Sequence, residues 1–576
     1  VLTMAYFTAP AYYNIVREMP AGKGFADFAF IPRANAGNRP AMVVELKYNK
    51  SADSAIKQIK ENIKGGKRMK TKNQALKLSI CLLLALFFVG LFCSRDTYAA
   101  SNGTYRNMTW AIDDNGVLTL GGTLERCYAW DYDDVTQIVI KEGVTQIPAD
   151  MFGRGTSIAK SRQYLNCTLV HLPDSLLTIG NRAFYEMYSL KYINFPKNLQ
   201  SIGDEAFLRD NALTSFTLPG TLTNIGYRAF AKCTSLTYIT IPGNVSSLGE
   251  KAFAECSGLT SAVIEKGCTY ISKSLFTECR NLKSVSLPEG ITVIKERAFY
   301  GCSKLVTVNM PSTLKSIEKE GFSDVRVKSF HFQEGLTSLG DFALAYNSEL
   351  SSVSLPNSLT QIGEYCFRDA CKLKNITLPP NLSYFSEGML DGCGISTITI
   401  PGKAKGMGRY SLYKCPNLQT IIIENGVKTI DAMITSRNKL QRVFIPKSVT
   451  SIGTAAFGCT DKLYKNCYKL KIIGYSKAKS YAKTKGFTYL SPKSLKVKKA
   501  SKGVSLSWGR RSGATSYKIY RISNNSNPKL VKTIKKAKTR KFTDKTAKSR
   551  NTYQYYIYYY KGKKLIGSSW IGKIKR

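Results

Sequence analysis

Between Val144 and Phe457 the apolar residues return at a spacing longer than any helix or strand repeat. Phe184, Phe207, Phe230, Phe253, Phe276, Phe299 and Phe322 stand 23 residues apart, and Leu344, Phe367, Leu390, Leu412, Thr435 and Phe457 continue the series. An earlier copy at Phe152 precedes a longer insertion. One unit reads Phe230-x-x-Cys233-x-x-Leu236-x-x-Ile239-x-Ile241-Pro242-x-x-Val245-x-x-Leu248-Gly249-x-x-Ala252-Phe253. The Ile239-x-Ile241 pair alternates as a half-buried strand does, Pro242 stops it, and Leu-Gly-x-x-Ala-Phe suits a short helical turn or a tight corner. So short a unit cannot bury its own apolar face and must stack on neighbours above and below. The pattern predicts a solenoid of about 14 units with one parallel strand per coil, rising about 4.8 Å each time.

Other periods flank this array. After Leu490 the long repeat gives way to seven short strand patterns, SLKVKKA, GVSLSWGR, TSYKIYRIS, LVKTIKK, RKFTD, TYQYYIYYYKG and KLIGSSWIGKIKR, which predict a small β-sandwich over 491–576. Residues 67–100 begin with Lys67, Arg68, Lys70, Lys72 and Lys77, run uncharged from Leu78 to Phe92 and end on small residues near Ala99 and Ala100. The apolar run is short for a membrane span and reads as a secretory signal peptide cleaved near Ala99 or Ala100. A start at Met69, preceded by Lys64-Gly65-Gly66-Lys67-Arg68, residues that a translated purine-rich ribosome-binding site would encode, suggests two neighbouring genes read as one chain. Residues 1–65 carry two strand-like runs and a helix-like one. Asp27 sits on the first run, Glu45 and Lys47 share one face of the second, and Gln58 falls on the helix. Two carboxylates beside a lysine can hold a hard divalent cation and orient water against a phosphodiester.

Composition sharpens these readings. The 576 residues carry a formal charge of +45. Residues 491–576 hold 25 Lys plus Arg against Asp544 alone, a net +24, so the pull toward polyanions belongs to the tail. Only two histidines, His171 and His331, are present, both on outward strand positions about seven coils apart, which leaves little room for His-dependent catalysis or a shared metal. Cys233, Cys256, Cys279 and Cys302 recur once per coil, which favours a column of small buried thiols over disulfides; Cys366 with Cys371 and Cys459 with Cys467 stay open as pairs. The positions flanking the inward pair are uncharged and rich in hydroxyls and amides. Tyr192, Asn194, Tyr238, Thr240, Ser284, Ser286, Thr307, Asn309, Asn375 and Thr377 are the candidate ligand-binding residues, with Ser215, Thr217, Ser352, Ser354, Thr397 and Thr399 in the same ranks. Such a face can hydrogen-bond a protein loop or a glycan and holds no nucleophile-base pair.

The motif L-x-x-I-x-[LI]-P-x-x-[LV]-x-x-I-G-x-x-A-F-x-x-C resembles the BspA-like leucine-rich repeat over about 350 residues. Residues 101–146, with TWAIDDNGVLTLGGTLE, resemble that family's N-terminal cap. KIIGYSKAKSYAKTKGFTYL, with Ala478, Tyr481 and Ala482, resembles its closing segment, so the repeats span 147–490. The resemblance implies a secreted or surface-displayed bacterial protein that binds host or bacterial surface proteins or glycans, needs no cofactor and is not an enzyme. In the tail, Trp508, Tyr517 and Tyr553 resemble the core and tyrosine-corner positions of fibronectin type III domains. Its charge implies anchoring to anionic cell-wall polymers or acidic glycans rather than nucleic acid. Residues 1–65 resemble a truncated α/β fragment of the PD-(D/E)XK nuclease superfamily through GKGFAD, VELK and AIKQIKE. That resemblance implies Asp27 and Glu45 as ligands of Mg2+, Lys47 as the catalytic lysine and Gln58 in support, and makes nuclease activity the alternative reading.

The expected whole is mainly β with short helices, extracellular or at the cell surface, with no stable membrane span after cleavage. Mass spectrometry of the mature protein is expected to find an N-terminal peptide beginning near Ala100 or Ser101. A mature chain retaining residues before Met69 would overturn the export reading.

Overall fold

The computed structural model describes residues 13–21, 24–32, 42–44, 101–126, 134–153, 166–435, 439–458 and 470–576. They fall in two units, Val1–Thr97 and Tyr98–Arg576.

In the first unit, Tyr13–Ala21 and Gly24–Pro32 form an antiparallel hairpin in which Ala21 faces Gly24, and Met42–Val44 adds to its other side with Val44 opposite Phe28. The first run thus forms two antiparallel strands rather than one, and Asp27 lies on the second of them. Glu45, Lys47, Gln58 and residues 67–100 lie outside the described residues.

The second unit starts with the antiparallel strands Ser101–Tyr105, Met108–Ile112 and Val117–Gly122, and the last of these pairs in parallel with Gln137–Ile140. From there each coil lays its strand beside the one before it. Where a single strand per coil was expected, the coils contribute two. After Tyr238–Ile241 the chain turns at Pro242 and extends again over Ser247–Leu248, which pairs with Asn224–Ile225 of the preceding coil. Two parallel stacks therefore enclose the core, and the Ile-x-Ile positions point into it.

The Leu-Gly-x-x-Ala-Phe corners are turns rather than helices. Arg182, Glu205, Arg228, Lys251 and Ser274 take left-handed backbone angles, and so do Glu186, Arg209, Lys232, Glu255 and Glu278 four residues further along each coil. Two reversals per coil bring successive backbones very close. A Cβ on Gly226 would come within 2.4 Å of Gly203 of the coil below, and one on Gly249 within 2.2 Å of Gly226, so only glycine permits the approach. The single helix among the described residues is Ser476–Lys485, closed by Gly486 in the left-handed conformation at φ 71°.

Two columns fill the corner. The rings of Phe152, Phe184, Phe207, Phe230, Phe253, Phe276, Phe299 and Phe322 stack in sequence with centroids 4.8 to 5.9 Å apart. Beside them the thiols of Cys233, Cys256, Cys279 and Cys302 each donate to the carbonyl of the phenylalanine one coil below, at 3.1 to 3.2 Å. The ten described cysteines are free, and all but Cys371 are buried. Cys459 and Cys467 lie outside the described residues. Burial pushes the Cys233, Cys279 and Cys302 thiols well up, so they remain protonated donors.

Met187, Asp210, Val325, Asn347 and Ala370 replace cysteine at the thiol position, and the two polar replacements, compared, explain a buried acid. Asn347 takes the place of cysteine, its Nδ2 donating to the Phe322 carbonyl and its Oδ1 accepting from Val325 N. Asp210 accepts from Met187 N in the same way, yet its Oδ2 is buried without a partner because a carboxylate has no proton to donate. Burial drives the Asp210 carboxyl well above the carboxylate range. Protonated, it can donate where Asn347 donates. The folded chain therefore holds this proton more tightly than the unfolded chain, and the associated stability is present at low pH and lost as pH rises from the unfolded value through the folded one. Asp210→Asn is expected to raise stability by roughly 1–3 kcal/mol at neutral pH and to change little at acid pH, read as thermal midpoints across that range. A variant less stable than wild type at neutral pH would refute this account.

Candidate ligand-binding face

Along the first stack two ranks of side chains point away from the core. One passes through Tyr238, Ser261, Ser284 and Thr307, and the other through Thr240, Val263 and Ser286, each residue registered against its neighbour one coil away. Upstream the same ranks hold Leu169 with Tyr192 and Val139 with His171, and downstream Ser329 with Ser352 and His331 with Ser354. From Gln137 to Thr377 the ranks contain no Lys, Arg, Asp or Glu. The residue before each strand is often basic (Lys191, Lys283, Lys328, Lys374), while the turns after it carry Glu142, Glu289 and Glu334. Those carboxylates are engaged: Glu142 accepts from the backbone of Asp174 and Ser175, Glu289 from Ser312, and Glu334 from Asn357 and Ser358. Hydrogen bonds from Ser312 hold Glu289 below the usual carboxylate range, and those from Asn357 and Ser358 do the same for Glu334. A neutral strip therefore runs between a basic margin and a self-capped acidic one.

Within the strip, Tyr192 is 58% and Tyr238 45% exposed, so both rings stand free above a floor of small residues. The Tyr238 hydroxyl and Thr240 Oγ1 lie 2.6 Å apart, which fixes that ring. Thr307 and Ser286 are exposed, and Ser284 and Thr240 are half-buried. Asn194 and Asn309 differ from the rest: each side-chain amide accepts from the backbone N–H and donates to the carbonyl of one residue in the coil below, Leu172 and Leu287 respectively. Their polar groups clamp coil to coil. His171 and His331 are exposed, and no group of three metal-ligating side chains occurs among the described residues.

The strip ends because the chain covers it. The strands Thr397–Ile400, Thr420–Ile423, Arg442–Ile445, Lys471–Gly474 and Thr488–Leu490 continue the stack, but their outward rank reads Thr399, Ile422, Phe444, Ile473 and Leu490. Ile422, Phe444, Ile473 and Leu490 form one buried cluster with Ile522, Tyr556 and Tyr558 of the C-terminal segment. Phe444 lies 5.4 Å from Tyr556 and 6.2 Å from Trp570 between ring centroids. Lys573 pairs with Glu424 at 2.7 Å, and Arg442 sits over the Tyr556 ring while donating to Thr420 Oγ1. Thr397 and Thr399 are therefore buried, whereas Asn375 and Thr377, one coil earlier, are exposed at the boundary.

The C-terminal segment is built to be covered twice. A three-stranded sheet (Leu495–Ala500, Gly503–Trp508, Lys541–Asp544) faces a six-stranded one whose centre is Thr552–Lys561. Tyr553, Tyr555, Ile557 and Tyr559 fill the core between them with Val504, Leu506, Trp508 and Tyr517. Tyr556 and Tyr558, on the opposite parity, lie against the repeat stack. The tyrosine run is thus buried on both faces. The Tyr553 hydroxyl accepts from Lys548 N at 2.7 Å, five residues upstream. Burial alone would raise the Asp544 carboxyl, but hydrogen bonds from Thr546 and Tyr555 and the charge of Arg521 hold it below its usual range. The segment's one acid is consumed inside. Outside, Lys496 and Lys541 flank Ser507 on the exposed face of the smaller sheet, with Lys498 beside Ser505.

A parallel stack of short, regular coils with an uncharged outward sheet face defines a leucine-rich repeat solenoid. The BspA type leucine rich repeat region matches residues 156–283, 269–389 and 345–464, more than half of the chain, and the protein belongs to that family. Among solved structures, a leucine-rich repeat protein from Bacteroides ovatus is 22% identical with a TM-score of 0.55, the match covering 69% of this chain and 99% of that one. The pneumococcal vaccine antigen PcpA is 18% identical over 68% of this chain and 98% of its own, with a TM-score of 0.36. No curated protein matches. No helix among the described residues is long and apolar enough to cross a membrane.

Because the cover rests on apolar burial, Phe444→Asp is expected to release the C-terminal segment while leaving both cores folded. Hydrogen exchange should then rise at residues 554–558 and 420–445 but not at the Phe column. Unchanged protection at both places would show that the contact does not depend on Phe444.

Proposed function

We propose that this protein is a non-enzymatic, exported binding protein that recognises a surface protein or glycan through the open strip from Gln137 to Thr377, and that its basic C-terminal segment holds it to anionic polymers. The observation that carries the reading is the contrast within one sheet face. Its far end is apolar and already covered in cis, while the strip is neutral, hydroxyl-rich and not covered by any of the described residues, with Tyr192 and Tyr238 its large side chains most open to a partner. Rigid aromatic rings on a floor of small hydroxyl residues offer contact area at little loss of side-chain freedom. Export is supported by the signal-like residues 67–100 and by membership of the BspA type family.

The anchoring role is supported by charge and placement. With the aromatic faces of the C-terminal segment buried and Asp544 paired internally, its accessible surface is dominated by lysines such as Lys496, Lys498 and Lys541. Retention on an anionic polymer should therefore weaken steeply as salt rises.

The full chain carrying Tyr192→Ala and Tyr238→Ala together is expected to lose about tenfold or more in affinity for an immobilised protein or glycan that wild type binds, with an unchanged melting temperature. Wild-type affinity in the double variant, for every partner found, would dismiss the strip as the recognition surface. The same variant should still elute from an anionic polymer at the wild-type salt concentration.

A further inference from the structure

Where the open strip meets the covering segment, the floor and the wall enclose a cleft of about 240 Å³. The coils supply Thr377, Thr399 and Glu424, with Leu378, Pro380 and Pro401 as apolar patches, and the covering segment supplies its own polar groups opposite them. We propose that this cleft is a binding site for a single neutral sugar ring, such as the terminal residue of a glycan. The inference goes beyond the reading of the strip and does not require the strip itself to be occupied.

The polar lining is organised before any ligand arrives. Asn524 and Asn525 form the tip between Ser516–Ser523 and Lys529–Ile534, and both have left-handed backbone angles, φ 46° and 58°. Asn525 is fixed across the seam: its Nδ2 donates to the Ile376 carbonyl at 2.8 Å, and its Oδ1 accepts from Thr399 Oγ1 at 3.1 Å. Gln554, 5% exposed, donates to the same Thr399 oxygen at 3.0 Å. The side-chain oxygens of half-buried Asn525 and of buried Thr399 and Gln554 each keep a further acceptor site. Nearer the mouth, the side chains of Thr377, Asn524 and Thr552 make no hydrogen bond among the described residues, so a hydroxyl, an amide and a second hydroxyl are available.

The chemistry selects the ligand class. Amides and hydroxyls present donors and acceptors together, which matches a ligand whose hydroxyls are themselves both. The charges at the cleft, Lys573 and Glu424, neutralise each other at 2.7 Å, so neither an anion nor a cation finds an unpaired partner there. Size sets the remaining limit, since the cleft is smaller than the roughly 300–1,000 Å³ of sites for drug-sized ligands and suits one ring rather than a chain.

Saturation-transfer NMR on the full chain with N-acetylglucosamine, galactose, mannose and glucose, and with glucuronate and glucosamine as charged controls, tests the proposal. At least one neutral sugar should receive saturation and the charged ones less. Thr377→Phe, an exposed substitution that fills the cleft, should abolish the transfer, and Asn524→Ala should weaken binding about three- to tenfold. Tyr192→Ala with Tyr238→Ala should leave it unchanged. Silence from every neutral sugar, equal transfer to the charged ones, wild-type transfer in Thr377→Phe, or loss in the tyrosine pair would each overturn the assignment.

Discussion

Contact between one coil and the next carries this structure, because a single coil has almost nothing inside itself to hold it. The phenylalanine rings touch rings of neighbouring coils, the thiols donate to carbonyls one coil below, and the glycines at the corners exist to let adjacent backbones approach. Even residues that look like surface chemistry serve this contact. Asn194 and Asn309 bracket a backbone below them, and Glu142, Glu289 and Glu334 cap the backbone above. The inter-coil ladder absorbs so many polar groups that what is left over on the sheet face becomes informative.

The leftover divides along the stack. Upstream, the outward ranks offer hydroxyls and two open tyrosines. Downstream, Ile422, Phe444 and Ile473 occupy the same rank and are covered by Tyr556 and Tyr558. Both surfaces share one backbone template, so the change from strip to platform is made by side chains alone. Two basic bodies meet at this platform. One ion pair, Lys573 with Glu424, crosses it, and the cluster around Phe444 and Tyr556 makes up the apolar part of the contact.

The repeat was the most legible part of the sequence because a 23-residue period, copied many times, leaves no other fold that buries its phenylalanines. The thiol column was legible for the same reason. The second strand of each coil was not: two residues such as Ser247–Leu248 give too short an alternation to read. Nor was the seam, although its signal was present. The run TYQYYIYYY is apolar at both parities, the mark of a strand covered on both faces, and the outward positions turn from Thr399 to Ile422 and Phe444 at the same point in the array. Each half of that signal is ambiguous alone, since it takes the fold to bring residues more than a hundred positions apart together. Asn194 and Asn309 could not be told from ligand-facing residues by parity, because their partners are backbone atoms.

The ranks from Gln137 to Asn375 fix a length as well as a chemistry. Ten inter-strand steps make a strip roughly 50 Å long, and its downstream end is a wall rather than an open edge. Gain or loss of one whole repeat would lengthen or shorten this track by a single step, leave every neighbouring contact intact and keep the wall in place. Evolution could therefore adjust the reach of the molecule like links in a chain without having to redesign what grips at either end.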